Sequence, residues 1–296
     1  MATLDCIEWV TSDAYQAFEE RILTETFPID VWSVETLDPD LLRILEGHAD
    51  VIFNYLTTLH GNRLEREASN HTMPYPENSY ASEFIDLTEN VMQLMKLRTI
   101  RSWHYSRLTD GEVNLIRKAG VYPSSLDNIR SRFAAQVAAG TFTQEFADQL
   151  FIHSPYQTDQ LDSRSGKFWM VSHPLEVDDH GVKLLLESWG GESAYFHQQD
   201  TETLRKLRQI GRPRVIEVDM PLINSRHAYP AAKAVVSTYG RLLGCQSESG
   251  TFDLYSEQSL GPKSILAVHS EGDGSFDLIG RGYPAGFTET AQFCPA

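Results

Sequence analysis

Long apolar runs are missing from this chain: no stretch approaches the roughly 18 uncharged apolar residues that a membrane-spanning helix needs, so no membrane partner is expected. Cysteine is scarce. Cys6, Cys245 and Cys294 lie far apart in sequence, too few for a thiolate zinc site. With an N-terminus, Met1-Ala-Thr-Leu-Asp-Cys-Ile-Glu8, that lacks the basic and then apolar run of a secretory signal, this points to a reducing cytoplasm. Basic residues are also short. Lys and Arg number 25 against 41 Asp and Glu, a net charge of −16, which disfavours a generic grip on nucleic-acid phosphate or anionic lipid. Also absent are the phosphate-binding Gly-x-x-x-x-Gly-Lys loop, Gly-x-Gly-x-x-Gly, His-Glu-x-x-His, Cys-x-x-Cys and the Gly-x-Ser-x-Gly elbow. Those gaps remove the main support for a standard NTPase, dinucleotide-fold dehydrogenase, zinc protease or serine hydrolase. No pair of the ten histidines has helix-face spacing with a third ligand, and no metal is expected.

What remains is a globular composition, 41% hydrophobic and 22% charged over 296 residues, enough for one large domain or two ordinary ones. The negative charge is uneven. Residues 1–100 carry 18 acids and 6 bases, residues 101–250 carry 17 of each, and residues 251–296 carry 6 and 2. The shift near residue 100 suggests an acidic helical region over 1–98, an α+β domain over 99–250 and a C-terminal extension of short strands over 251–296. The acidic region either docks on a basic partner or is a solvated helical face.

Residues 1–98 read as helical. Asp38-Pro39 is an N-cap followed by proline in the first turn, and Leu41, Leu42, Leu45, Ile52, Tyr55, Leu56 and Leu59 make one stripe. A second helix from about Ser82 presents Phe84, Leu87, Val91, Leu94, Met95 and Leu97, and Gly61–Tyr80 between them reads as a loop holding a chance Asn70-His-Thr72 sequon. From residue 99 strands alternate with capped helices. Thr99–Leu108 is a strand, and Thr109-Asp-Gly-Glu112 is a capping box opening a helix that ends at Gly120. Helices follow at Ser125–Ala139 and Thr143–Leu150, then a polar loop over His153–Gly166 and a strand over Lys167–His173. Gly181–Trp189 reads as a short helix, Ala194–His197 as a short strand, Thr201–Ile210 as a basic helix, Pro213–Leu222 as a strand and Tyr229–Leu243 as a helix. The class is α+β, a mainly helical N-terminal region followed by a mixed sheet with flanking helices.

Two groups of residues carry chemistry. The first is Trp103-His104-Tyr105-Ser106-Arg107 on a strand, where His104 faces one side of the pleat and Trp103 and Tyr105 the other. The plain alternative is a buried histidine bonded to backbone. The second is Trp189-Gly190-Gly191-Glu192, in which two glycines permit a tight corner that holds the Glu192 carboxylate at the entrance to a strand. Its plain alternative is a glycine turn followed by an exposed acid.

The piece His104-Tyr105-Ser106-Arg107-Leu108, followed by a helix ending in Ala119-Gly120-Val121, resembles the first strand and helix of the ADP-ribosyltransferase superfamily, over about residues 99–222. The resemblance implies a split β-sheet, NAD as substrate, His104 orienting the ribose, Phe168 or Trp169 on a second strand holding the nicotinamide, and Glu192 stabilising an oxocarbenium-like transition state. It also offers Tyr105 and Arg107 as cofactor-binding residues, with Arg107 or the basic run Arg205, Lys206, Arg208, Arg212 and Arg214 pairing with the pyrophosphate. The middle strand has neither the Ser-Thr-Ser of the Arg-type enzymes nor the Tyr of the His-type ones. Glu192 lacks a preceding Glu or Gln two residues earlier, which leaves the acceptor, protein or nucleic acid, open. An NAD glycohydrolase would use the same cleft with water. An interaction protein, its acidic third serving as an inhibitory, immunity or adaptor surface, is the alternative from another class.

Overall fold

The computed structural model of the chain describes residues 28–69, 74, 76–223, 225–247 and 251–282. Cys6, Cys294, the start of the chain and the Asn70–Thr72 sequon lie outside the described residues. Contacts divide the chain into two compact units, residues 1–100 with 221–247, and residues 101–220 with 248–296. Where the charge pattern suggested cuts at 98 and 250, the contacts thus group a later segment, 221–247, with the acidic first part.

In the first unit α1 (Pro39–Gly47) starts where Asp38 predicts, the Asp38 carboxylate accepting from the backbone N–H groups of Asp40 and Leu41. Burial raises the Asp38 pKa, but Arg98, which also binds this carboxylate, and the Leu41 and Asp40 N–H groups together lower it. The long apolar stripe belongs to two helices: the chain breaks at His48, and α2 runs over Ala49–Ala68. The loop expected over Gly61–Tyr80 is therefore helical as far as Ala68. One glycine costs a helix about 1 kcal/mol, whereas Asn62–Ala68 are mostly good helix formers laced by an Arg63–Glu67 pair at 2.8 Å. The third helix, α3 (Ala81–Met95), buries Phe84, Leu87, Val91 and Met95, while Leu97, past its end, is exposed.

The last helix of this unit, which we number α11 (Ala228–Leu242), is where the grouping of 221–247 originates. It packs on α3 and α2 and buries Ala231, Ala232, Val235 and Val236. The approach is close: a Cβ at Gly240 would run into the Leu56 side chain. A fragment beginning at residue 99 carries this apolar face without α2 and α3. It should accordingly aggregate when expressed alone, and a soluble, monodisperse 99–296 fragment would show that α11 does not depend on the first unit.

The second unit is a five-stranded sheet with helices. Its strands are β1 (Thr99–Leu108, from Arg101 onward in this unit), β2 (Phe168–Val171), β3 (Arg212–Pro221, up to Met220), β4 (Asp253–Ser256) and β5 (Ile265–Ser270), in the order β4-β2-β1-β3-β5. The pairs β1–β2, β2–β4 and β3–β5 are antiparallel, with Trp103 opposite Val171 and Trp169 opposite Tyr255. A mixed sheet was expected from the alternation of strands and helices. Short antiparallel neighbours produce the same alternation, because the chain returns through helices of only a few turns.

Between the strands lie α4 (Asp110–Ala119), α5 (Leu126–Ala138), α6 (Gln144–Ile152), α7 (Leu161–Arg164), α8 (Lys183–Glu187), α9 (Glu192–Tyr195) and α10 (Thr201–Arg208), with α12 (Gly274–Ile279) after β5. Ser125, Thr143 and Asp200 cap α5, α6 and α10 through side-chain oxygens. Helices α5, α6 and α10 close over Trp189, whose indole is fully buried among Phe133, Phe142 and Leu207. The strand expected at Ala194–His197 is instead the turn of α9. The Ala194 and Tyr195 N–H groups donate to the Gly191 carbonyl and the Phe196 N–H to that of Glu192, and Ala194 is buried against the Trp189 core rather than paired in the sheet.

Candidate active site

A cavity of about 610 Å³ lies in the second unit, lined by consecutive residues of β1 and β2, among them His104, Tyr105, Phe168 and Trp169. On β1, Ser102, His104 and Ser106 alternate with Arg101, Trp103 and Tyr105. On the paired strand, Phe168 and Met170 share the His104 face: Ser102 bonds the Met170 sulfur, and the His104 and Phe168 rings lie 4.4 Å apart at 31°.

His104 has a defined protonation state. Its Nδ1 lies 2.7 Å from the Trp169 carbonyl oxygen, which can only accept, so Nδ1 carries the hydrogen. Burial lowers the pKa to about 4, the Trp169 carbonyl opposing this and the nearby Arg132 charge adding to it. The imidazole is therefore neutral at pH 7, and Nε2 presents a lone pair. A neutral, half-buried histidine binds protons less readily than the same group in the unfolded chain. Between the unfolded value near 6.5 and about 4, stability thus falls as pH falls, and it levels off below. A ring proton or nitrogen resonance of His104 should titrate near 4 in the folded protein; a midpoint near 6.5 would contradict the neutral ring.

Glu192 lines the same cavity. Trp189 anchors its backbone: the Trp189 N–H donates to Leu207 and its residue bridges Arg107 in parallel register. Gly190 and Gly191 then turn the chain with φ of 88° and 60°. A Cβ at Gly190 would come within 2.7 Å of the Ala194 side chain, so the corner requires glycine both for its torsion and for space. Glu192 begins α9 here, and does not enter a strand as expected. Its Oε2 accepts from Arg164 Nε at 2.7 Å.

Of the other residues singled out in the sequence, Phe168 stands beside His104. Trp169 supplies its carbonyl to the histidine, while its indole turns to the alternate face against Tyr255, with ring centroids 4.7 Å apart. Phe168 and Trp169 both line the cavity, and Phe168 is the one whose ring packs on His104. Tyr105 is committed elsewhere, its hydroxyl donating to the Leu175 carbonyl and accepting from the Leu175 N–H, and burial raises its pKa. Arg107 does not line the cavity. Its guanidinium donates to the carbonyls of Ile210, Gly211 and Leu186, closing the turn after α10, and desolvation lowers its pKa against the opposing Glu271 charge. The basic run is likewise outside the cavity: Arg205 pairs with Glu202, Arg208 with Glu187, and Arg212 and Arg214 with Asp110.

Three contributors had no signal, or only a structural one, in the sequence. Arg164 lies in what reads as a polar loop. Arg132 sits mid-helix in α5 and donates two hydrogen bonds to Glu112. Glu112 was legible as half of a capping box, which is formed, but it also accepts from the Trp189 indole at 2.9 Å. One carboxylate thereby ties the start of α4 to Arg132 and to the residue that precedes the double-glycine corner.

Among the described residues no helix is long and apolar enough to cross a membrane, and no three His, Cys, Asp or Glu side chains gather as a metal site requires. No family model, curated protein or solved structure matches this chain.

Proposed function

We propose that the second unit cleaves the nicotinamide–ribose bond of NAD and transfers the ADP-ribosyl group to a macromolecular acceptor, protein or nucleic acid. The observation that carries this reading is the convergence on one cavity of a neutral histidine with a free acceptor nitrogen and a carboxylate on a glycine-built corner, from segments 88 residues apart in the chain. Breaking the glycosidic bond creates positive charge on the ribose. A carboxylate fixed beside the sugar stabilises that charge as it appears, and its bond to a ribose hydroxyl strengthens in the same step. Glu192 has that role. His104 Nε2 accepts from a ribose hydroxyl and fixes the sugar's orientation, and the Phe168 ring offers the nicotinamide an apolar face. The electron pair of the broken bond leaves with nicotinamide, and the acceptor's nucleophile closes on the anomeric carbon.

The test is the release of nicotinamide from NAD by the full-length protein. Release that requires a protein or nucleic-acid mixture, with ADP-ribose retained on it, is the expected result. Equal release without acceptor makes the enzyme an NAD glycohydrolase. No release under either condition overturns the reading and leaves the acidic first unit as the basis for an interaction protein.

A further inference from the structure

The cavity holds its carboxylate in an ion pair, and that arrangement poses a problem for the reaction proposed above. Arg164 Nε occupies one oxygen of Glu192, so part of the negative charge needed by an incipient oxocarbenium is already offset, and one hydrogen-bonding oxygen is taken. Arg164 is itself mostly buried, with its guanidinium over the Phe196 ring at 4.6 Å and one terminal nitrogen on Ser163 Oγ at 3.1 Å. A flat cation stacked in this way can swing its donors in the plane of the ring without leaving its seat.

The other cations lining the cavity are committed. The Arg132 guanidinium is bound to Glu112 and lies over the Trp189 ring, in a network that also holds the backbone. The Lys167 ammonium donates to the carbonyls of Asp162 and Ser163. The residues once offered for the pyrophosphate, Arg107 and the basic run, are outside the cavity. A dinucleotide entering next to Glu192 brings a diphosphate, which offers guanidinium a bidentate partner, whereas Glu192 takes only the Arg164 Nε hydrogen.

We infer that Arg164 is a partner-exchanging residue of this site: it holds Glu192 in the empty cavity and moves to the diphosphate of the bound dinucleotide, which leaves the carboxylate free for the ribose. This rests on the NAD reading. It makes the diphosphate a requirement for an active carboxylate, and so disfavours nicotinamide ribosides that lack one.

The experiment measures binding of ADP-ribose and of nicotinamide riboside to the wild-type protein and to Arg164→Gln and Arg164→Lys, with the fold checked by thermal unfolding. Arg164→Gln should weaken ADP-ribose by about tenfold to a hundredfold, the usual size for losing a hydrogen bond to a charged group, and should not weaken the riboside. Arg164→Lys, which keeps the charge but not the fork, should fall between. Equal weakening of both ligands, or no weakening of ADP-ribose, overturns the exchange and leaves Arg164 a structural clamp, as does failure of the wild-type protein to bind ADP-ribose. Nicotinamide release from NAD, scored separately on the wild-type protein, judges the enzymatic reading, so the two can fail independently.

Discussion

Glu192→Gln should lower nicotinamide release from NAD at least about a hundredfold, in line with the removal of one electrostatic contact to a transition state. The substitution keeps the size of the side chain and its place at the start of α9, and it removes the charge. Its ion pair with Arg164 is partly open to solvent, so the fold should lose little. The loss should appear in turnover rather than in the Michaelis constant, because a neutral amide still hydrogen-bonds a ribose hydroxyl in the ground state but does not stabilise a cation. Turnover within a few-fold of the wild-type protein would remove Glu192 from the chemistry.

Glu112→Ala should destabilise the second unit by about 1 to 3 kcal/mol, the range for leaving hydrogen-bonding partners without their acceptor. The carboxylate accepts from the Thr109 N–H and hydroxyl, the Trp189 indole and the Arg132 guanidinium, and its loss strands the last two in a largely buried place. Burial alone would raise its pKa. The Arg132 charge and hydrogen bonds from the Thr109 N–H, the Trp189 indole and Arg132 itself overcome that and lower it. The sign for stability follows. A carboxyl whose folded value lies below its unfolded value contributes fully above the ordinary carboxylate range, and the contribution is lost as pH falls through the depressed folded value. Denaturant unfolding of wild-type and variant proteins should therefore converge toward acid pH. A difference below about 1 kcal/mol at pH 7 would show that the network is not a support of the glycine corner.

Local signals in the sequence carried much of the secondary structure. The Asp38-Pro39 start and the Thr109/Glu112 capping box rest on side chains bonding backbone within three residues, and both were legible. So were the strand Thr99–Leu108 and the glycine corner before Glu192. Misreadings arose where tertiary packing decides. Gly61 is tolerated inside α2, and Ala194 takes a helical turn because the Trp189 core receives it. His104 and Glu192, singled out from a strand and a double-glycine corner, line one cavity, as do Phe168 and Trp169, which only the resemblance offered. Arg107 was misassigned since nothing in its own segment tells that Ile210, Gly211 and Leu186 bring carbonyls to it. Arg164 was missed for the same reason: its partner is 28 positions away.

The most direct measurement is an experimental structure of the Glu192→Gln variant with intact NAD bound. The account predicts the nicotinamide-bearing ribose within hydrogen-bonding distance of both His104 Nε2 and the side chain at position 192, with the nicotinamide against Phe168. A dinucleotide seated elsewhere, or a ribose that touches neither side chain, would contradict it.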